Sequence, residues 1–484
     1  MRLTFLTPLA TLALLAACGD DDGSVDRAGD SGPPETGASC LLMLDWSQRA
    51  LVAAHPQTLE PIAGLDPLPM GHWATNYVSP DGRLMASVIG PTQQPQANLH
   101  VFDLDAWREL FVLEEPSGNL FPMAWAPDSR RVYLFGESNH RGESLWVMDL
   151  ETGRSQPLSE LRFTAHRVDV SPDGSTLYLF AFEPENVETF TVRGDPFLVA
   201  LDSETGIETA RVPLPGMLLG QRHEQGGVYG EYSAMYHPAQ AMSPDGRHYY
   251  VAHAEDDEIT VVDLERMEVT RTAVPTLQKS IFERVLGALL GAGVAEAKGG
   301  PSSSKQLFVS PDGRRLFVTG FDEDEPAPDG AGHQPVGLKV LDADSLEIIT
   351  QHEGVNAAAL SPDGELLLAS GWSHTWTQIG PNELTGDNFR SSGLKVIDAR
   401  TGELLRDFEP GRIFEHVTFS ADGNFAYLMT DQGEYRGLDW RQEACSLPQV
   451  PCRTATVYDV ASGQALGEHV FDTHAIDFVA TGPR

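Results

Sequence analysis

One four-residue turn recurs along this chain, and it constrains the fold more than any other feature. Ser79-Pro80-Asp81-Gly82, Ser171-Pro172-Asp173-Gly174, Ser243-Pro244-Asp245-Gly246, Ser310-Pro311-Asp312-Gly313 and Ser361-Pro362-Asp363-Gly364 are identical, and Ala126-Pro127-Asp128-Ser129 and Ser420-Ala421-Asp422-Gly423 are near copies. Proline presets φ at the first turn position, Asp bonds the backbone ahead of it, and Gly accepts a positive φ. Each copy therefore reverses the chain tightly between two strands. A second signature follows each turn, an apolar run ending in Asp and then a polar turn, as in Val147-Met148-Asp149-Leu150-Glu151-Thr152-Gly153, Val261-Val262-Asp263-Leu264 and Val396-Ile397-Asp398-Ala399-Arg400-Thr401-Gly402.

Each Asp-ended run precedes one more apolar stretch, so a repeat holds four short antiparallel strands, a to d. Four strands in a unit of about 45 to 70 residues is the arithmetic of a β-propeller blade. A sandwich also shows many short strands, but it does not repeat one turn in register with one Asp-ended strand. The predicted fold is all-β, a propeller of four-stranded antiparallel blades. Blade count follows from the ends. Leu41-Leu42-Met43-Leu44-Asp45 carries the Asp-ended signature before any turn motif, and His474-Ala475-Ile476-Asp477-Phe478-Val479-Ala480 copies strand a just before the end. Joining the two in one blade removes exposed sheet edges. This gives eight blades, the last made from both ends of the chain and lacking an obvious strand b. Seven blades, with the N-terminal strands used differently, is the alternative.

The pairing of Ser-Pro-Asp-Gly with Val-x-Asp-x-x-Thr-Gly resembles the YVTN and quinoprotein amine dehydrogenase-like repeat families. Blade two, Trp125-Ala126-Pro127-Asp128 leading to Leu145-Trp146-Val147-Met148-Asp149, is more similar to the TolB-like repeat. The resemblance covers residues 40–484 and implies a fold rather than an activity.

Residues 1–17 read as a lipoprotein signal peptide. Arg2 is followed by an apolar run, Leu3 to Ala17, broken at Pro8, and then Leu15-Ala16-Ala17-Cys18. A basic start, a short apolar core and small residues before a cleavage point make a secretory signal. The run is short for the roughly 20 residues that span a bilayer core. Leu-Ala-Ala-Cys resembles the lipobox of bacterial lipoproteins, which implies lipid attachment at Cys18 and a place on the cell envelope. The residue after Cys18 is Gly19 rather than Asp, which by resemblance to enteric sorting favours the outer over the inner membrane. Residues 18–39 lack large apolar side chains and read as a flexible acidic tether, leaving 40–484 as a single propeller domain.

The formal net charge is −37. So acidic a surface repels phosphate backbones and argues against nucleic acid as partner. Cysteines are too few for a disulfide-dependent core: Cys445 and Cys452 flank a six-residue segment and close it plausibly in an oxidising compartment, and Cys40 is left over.

Antiparallel order places the a–b and c–d turns on one face of the disc, where all are short. Every long insertion falls on the other: the b–c loops at Glu183 to Asp195, Asp322 to His333, Ser373 to Arg390 and Asp431 to Arg453, and the d–a connections at Gly216 to His237 and Thr276 to Lys305. The last of these spaces Ile281, Val285, Leu286, Leu289 and Leu290 as a short amphipathic helix over about 277–297. Loops on a rigid scaffold carry binding, so the inserted face over the channel mouth is the predicted working face.

His72, His166, His237, His416 and His474 lie at or just before strand a, which lines the channel. Neutral imidazoles there suit a transition metal or a porphyrin-like cofactor, yet their offsets from the following turn differ, so with a side-chain period of two they point in different directions. The alternative is a structural histidine bonded inside each blade. Trp372, His374 and Trp376 could stack on a flat ligand or cap the channel beneath neighbouring loops. The acidic runs Glu255 to Glu258 and Asp322 to Glu325 lack the spacing of a helix–loop–helix calcium site and read as solvated charge. No nucleophile elbow, paired zinc-binding histidine motif, phosphate loop or Cys-x-x-Cys is present. No motif requires a cofactor; a metal ion in the channel mouth stays open. The favoured function is a non-enzymatic envelope protein binding or scaffolding a partner through the inserted face. A lactonase-like, metal-assisted enzyme and a propeller subunit of a dehydrogenase-like complex are the alternatives the resemblance implies.

Overall fold

A computed structural model describes residues 16–19, 37–45, 49–69, 77–89, 98–113, 120–138, 142–186, 191–225, 231–275, 302–323, 332–380, 383–408, 412–414, 416–420, 422–431, 453–471 and 476–478. These residues contain no helix. The predicted helix over 277–297, the Cys445–Cys452 loop, His72 and His474 lie outside them, as do most of the signal and tether segments.

Eight four-stranded antiparallel blades form an eight-bladed β-propeller. Blades one to seven span residues 77–113, 120–160, 164–213, 239–273, 302–352, 357–408 and 416–471, and each runs a to d in chain order. Blade eight joins the two ends of the chain: Ile476–Phe478 pairs with Gly37–Asp45, followed by Ala50–Ala54 and Leu68–Pro69. Here the structure corrects the sequence reading. The Asp-ended strand through Leu44 bonds directly to the C-terminal strand and so occupies position b, and no position is missing. Ala54 and Leu68 supply strands c and d instead. Ala16–Gly19 adds antiparallel to the start of Gly37–Asp45.

The reason for a ring rather than a sandwich lies in the two faces of each central strand. Leu41 and Met43 pack on Tyr427, Met429, Ala455 and Val457 of blade seven, while Leu42 and Leu44 pack on Met85 and Phe102 of blade one. Strands with both faces apolar need a neighbour on each side. The same alternation makes a separate buried cluster between every other adjacent pair of blades, from one and two to six and seven. Burying each such side chain is worth about 1.5–3 kcal/mol, and closure shares that gain around the disc.

The turn motif does more than reverse the chain. In blade three Ser171 is buried; its Oγ donates to Asp173 Oδ1 at 2.6 Å and accepts the Thr176 amide at 2.9 Å. Asp173 Oδ1 also accepts the Ser175 amide at 3.0 Å. The Ser171 bond, then those from Ser175, pull the Asp173 carboxyl down to about 2. Gly364, at φ +71°, sits where a Cβ would come within 2.2 Å of Pro311 in the preceding blade, so glycine is required for the close approach of neighbouring turns as well as for the conformation. In blade two Ser129 replaces Gly and accepts the positive φ of 58°. Its hydroxyl accepts the Asp81 amide of blade one at 3.1 Å.

Candidate ligand-binding face

The described parts of the inserted segments are built as strands. Blade six extends its two central strands into a long hairpin, Leu366–Gly380 with Glu383–Asp398. Blade three does the same with Thr176–Asn186 and Thr191–Asp202. Between blades three and four the chain forms a further hairpin, Gly220–Gln225 with Glu231–His237. One edge of this hairpin bonds in parallel at Gln221 to Thr191, in the blade-three extension, and the other at Tyr236 and His237 to Ser303 and Ser304 of blade five. It thus ties blade three to blade five across the approach to blade four.

This hairpin delivers His237 to His166, which stands in strand a of blade three. The two rings stack with centroids 6.0 Å apart and 27° between planes, and His166 also meets Phe180 edge-on at 6.0 Å. Burial foremost, then the nearby charges of His237 and Arg167, pulls His166 down to about 3. Burial also lowers His237. Both are neutral at physiological pH. Further along the same strand, Asp169 accepts the buried Tyr249 hydroxyl at 2.6 Å and Arg167 Nε at 3.1 Å, locking blade three to blade four.

A second cluster forms where blade five meets blade six. Register shifts between Ser370 and Trp372 and between Ser373 and Thr375 re-aim the start of the long hairpin, as β-bulges do. Trp372 and His374, two apart, project to the same side. The blade-five insertion answers with His333–Pro335, a short strand paired to Phe321, Asp322 and Glu323. His333 slots its ring against Trp372 at 4.0 Å and 11°, and against Phe321 at 4.3 Å and 33°. Trp372 and His374 lie 5.7 Å apart at 18°, and His333 and His374 6.4 Å apart at 8°. The Gly332 amide and Gln334 Nε2 both donate to the His374 carbonyl at 3.0 Å. Gly332 has to be glycine here, because a Cβ would come within 2.5 Å of the His374 ring.

Asn356, at the entry to strand a of blade six, sets the state of His333. Its Nδ2 lies 2.6 Å from His333 Nε2 and 3.2 Å from the Trp372 carbonyl. An amide nitrogen only donates, so Nε2 must accept and the neutral ring carries its proton on Nδ1. Burial, then the like charge a protonated His374 would set beside it, pulls His333 down to about 3, and burial also lowers His374. The result is a neutral, nearly parallel π stack spanning two blades.

Of the residues singled out in the sequence, the structure brings together His166 with His237 and Trp372 with His374. His416 stands exposed at the first position of strand a in blade seven, opposite Met429. Trp376 lies further out on the blade-six hairpin, opposite Gly386. Sequence reasoning missed His333, Phe321 and Asn356. His333 marked only the end of an insertion, and nothing in its local sequence signals a partner some 40 positions away.

No protein-family model matches the chain, and no curated protein matches it by sequence. Among solved structures it is similar to dihydro-heme d1 dehydrogenase NirN in complex with DHE, at 14% identity and a TM-score of 0.51, over 90% of this chain and 74% of that one. Weaker likenesses are to the Cps50 (Swd1) β-propeller domain of Myceliophteria thermophila, at 16% identity and TM-score 0.40 over 76% and 95% of the two chains, and to hydrazine synthase of Kuenenia stuttgartiensis, at 15% and 0.36 over 72% and 78%. At such identities the first of these likenesses speaks to the fold alone, an all-β propeller.

Proposed function

We propose that this chain is a non-enzymatic binding propeller of the bacterial cell envelope, anchored through lipid on Cys18 and meeting an envelope protein or ligand on its inserted face. The observation that carries the reading is the cross-blade stack of Phe321, His333, Trp372 and His374. Its rings are held by backbone and amide bonds from two blades; His333 and His374 are buried, and the half-buried Phe321 and Trp372 present a preorganised, uncharged edge. Such an edge loses little entropy on binding. The half-buried Trp372 is the natural contact residue, because Trp dominates binding energetics where it is partly sheltered.

The test is chemical cross-linking of the full chain in detergent-solubilised envelopes, comparing wild type with Trp372→Ala and with a chain lacking residues 376–386. Thr375 and Asp387, which flank that deletion, are already cross-strand partners, and Asn-Gly placed between them supplies the two-residue turn the shortened hairpin needs. A partner captured by wild type and lost from both variants supports the reading; equal capture by all three overturns it. The anchor is tested separately by Cys18→Ser, which should move the protein from the membrane to the soluble fraction.

A second reading, a propeller carrying a metal or porphyrin-like cofactor, draws on the pair His166 and His237, since neutral imidazole is a common metal ligand, and on the likeness to a dihydro-heme d1 dehydrogenase. Haem titration followed by visible absorption distinguishes it: saturable binding lost in His166→Ala favours the cofactor reading.

A further inference from the structure

The acidic run Glu255-Asp256-Asp257-Glu258 joins strands b and c of blade four, and the structure sorts its four carboxylates into two pairs. Glu255 Oε1 accepts the Leu218 amide at 2.9 Å, and Asp257 is ion-paired with Lys339 of blade five. Asp256 and Glu258 converge on His253, with oxygens 3.7 and 3.8 Å from its Nδ1, in a hollow that Asp257 and Lys339 also line. The other cation lining this hollow, Lys305, pairs with Asp322 at 3.1 Å. Among the described residues neither Asp256 nor Glu258 has a Lys or Arg partner.

His253 is only 2% exposed, and its Nδ1 is a buried nitrogen without a hydrogen-bond partner. Buried polar atoms are nearly always satisfied, so an orphaned lone pair aimed at two carboxylates calls for a positive occupant. The far side of the ring offers Nε2 an oxygen to which it can donate. Nε2 lies 2.9 Å from Thr260 Oγ1, and Thr260 Oγ1 lies 3.0 Å from Thr272 Oγ1. With the ring proton on Nε2 and the hydroxyls passing hydrogen bonds along, Nδ1 is left as an acceptor. A metal-binding histidine is held in the same way, its second nitrogen donating to an oriented partner. Thr260 is itself buried within the sheet, so it orients the ring and has no access to a substrate.

We propose that His253 Nδ1, Asp256 and Glu258 form a divalent-cation site, zinc-selective over calcium, at the blade-four end of the inserted face. The three donor atoms lie within 4.8 Å of one another. The 3.7 and 3.8 Å from Nδ1 to the two oxygens are a few tenths of an ångström wider than the roughly 3.3–3.4 Å that tetrahedral zinc bonds of about 2.0–2.1 Å require, so the two half-exposed carboxylates close slightly onto the ion. One nitrogen and two carboxylate oxygens leave the fourth tetrahedral position open to water. Calcium takes six to eight oxygens, and this site offers too few. The loop is preshaped: the Glu258 amide donates to Asp256 Oδ1 at 2.8 Å, and the His253 amide to the Glu258 carbonyl at 2.9 Å.

Isothermal titration of the chelator-stripped full chain with zinc chloride, and separately with calcium chloride, tests the site against three variants. Because Asp256 and Glu258 are half-exposed, D256N/E258Q preserves the fold, and circular dichroism verifies that. Wild type should bind one more equivalent of zinc than D256N/E258Q or H253Q, and T260V should retain it with affinity weakened about 10- to 100-fold. Equal zinc stoichiometry in wild type and D256N/E258Q overturns the site. Loss in D256N/E258Q without loss in H253Q overturns the role of the imidazole, as does calcium binding as tightly as zinc.

Discussion

Acidification from pH 7 to pH 5 should weaken this propeller through its buried imidazoles, and His333 allows the size of the effect to be worked out. His333 is 7% exposed, and its acidity is shifted from 6.5 to about 3 by burial and by His374. A proton on Nε2 would also point at the Asn356 amide group 2.6 Å away. Because the folded value lies below the unfolded one, the unfolded chain binds more protons between about pH 6.5 and 3. Stability is therefore complete above pH 6.5 and falls as the pH drops through that window. At pH 5 the unfolded imidazole is almost wholly protonated and the folded one neutral, which costs about 2 kcal/mol for this one group. The carboxylates of the turns do not interfere, since Asp173 shifts only between 3.8 and about 2. The assay is urea unfolding of wild type and His333→Gln at pH 7 and pH 5, with the denaturant slope checked for constancy. Glutamine keeps an acceptor for Asn356. His333→Gln should be less stable at pH 7, yet lose about 2 kcal/mol less than wild type on acidification. Identical pH sensitivity in the two proteins, or a His333 ring proton that titrates near 6.5 by NMR in the folded chain, would refute the account.

Gly332→Ala should cost about 1–3 kcal/mol by forcing a methyl into the His374 ring, and an unchanged urea midpoint would mean that the stack yields freely. Leu42→Ala, at a fully buried position between blades eight and one, should cost about 2–5 kcal/mol; a cost below about 1 kcal/mol would argue against tight closure there. Ser171→Ala removes both the donor to Asp173 and the acceptor of the Thr176 amide and should cost about 1–3 kcal/mol. It should also blunt the loss of stability between about pH 4 and 2, because an Asp173 released from that bond titrates nearer its ordinary value; an unaltered acid limb would show that the bond does not set the shift. Truncation after Phe471 removes Ile476–Phe478 and bares the edge of Gly37–Asp45, so light scattering should detect self-association; a monomer of wild-type stability would count against closure by the C-terminal strand.

The sequence by itself determined the all-β propeller, the four-strand repeat, the short-turn face and the joining of the chain ends, because each is written locally. A Ser-Pro-Asp-Gly turn carries its own hydrogen bonds, as Ser171 and Asp173 show, and period-two apolar strands declare that both faces need neighbours. Even there the order within blade eight was misread, because an Asp-ended strand such as Leu41 to Asp45 looks alike in position b or c and only its hydrogen-bonded neighbour decides. The candidate sites were decided by tertiary structure alone. Trp372 and His374, two apart on one strand, share a side by alternation alone; the register shifts that flank them set what that side meets, and period counting cannot foresee a register shift. His333 meets Trp372, and His166 meets His237, across blade boundaries. In Glu255 to Glu258 four like charges in a row read as solvent-facing, until Leu218 and Lys339 claim two of them and leave Asp256 and Glu258 facing a buried His253. Local hydrogen bonding and alternation travel with the sequence; a site assembled from several blades exists only once the ring has closed and fixed which side chains share a boundary.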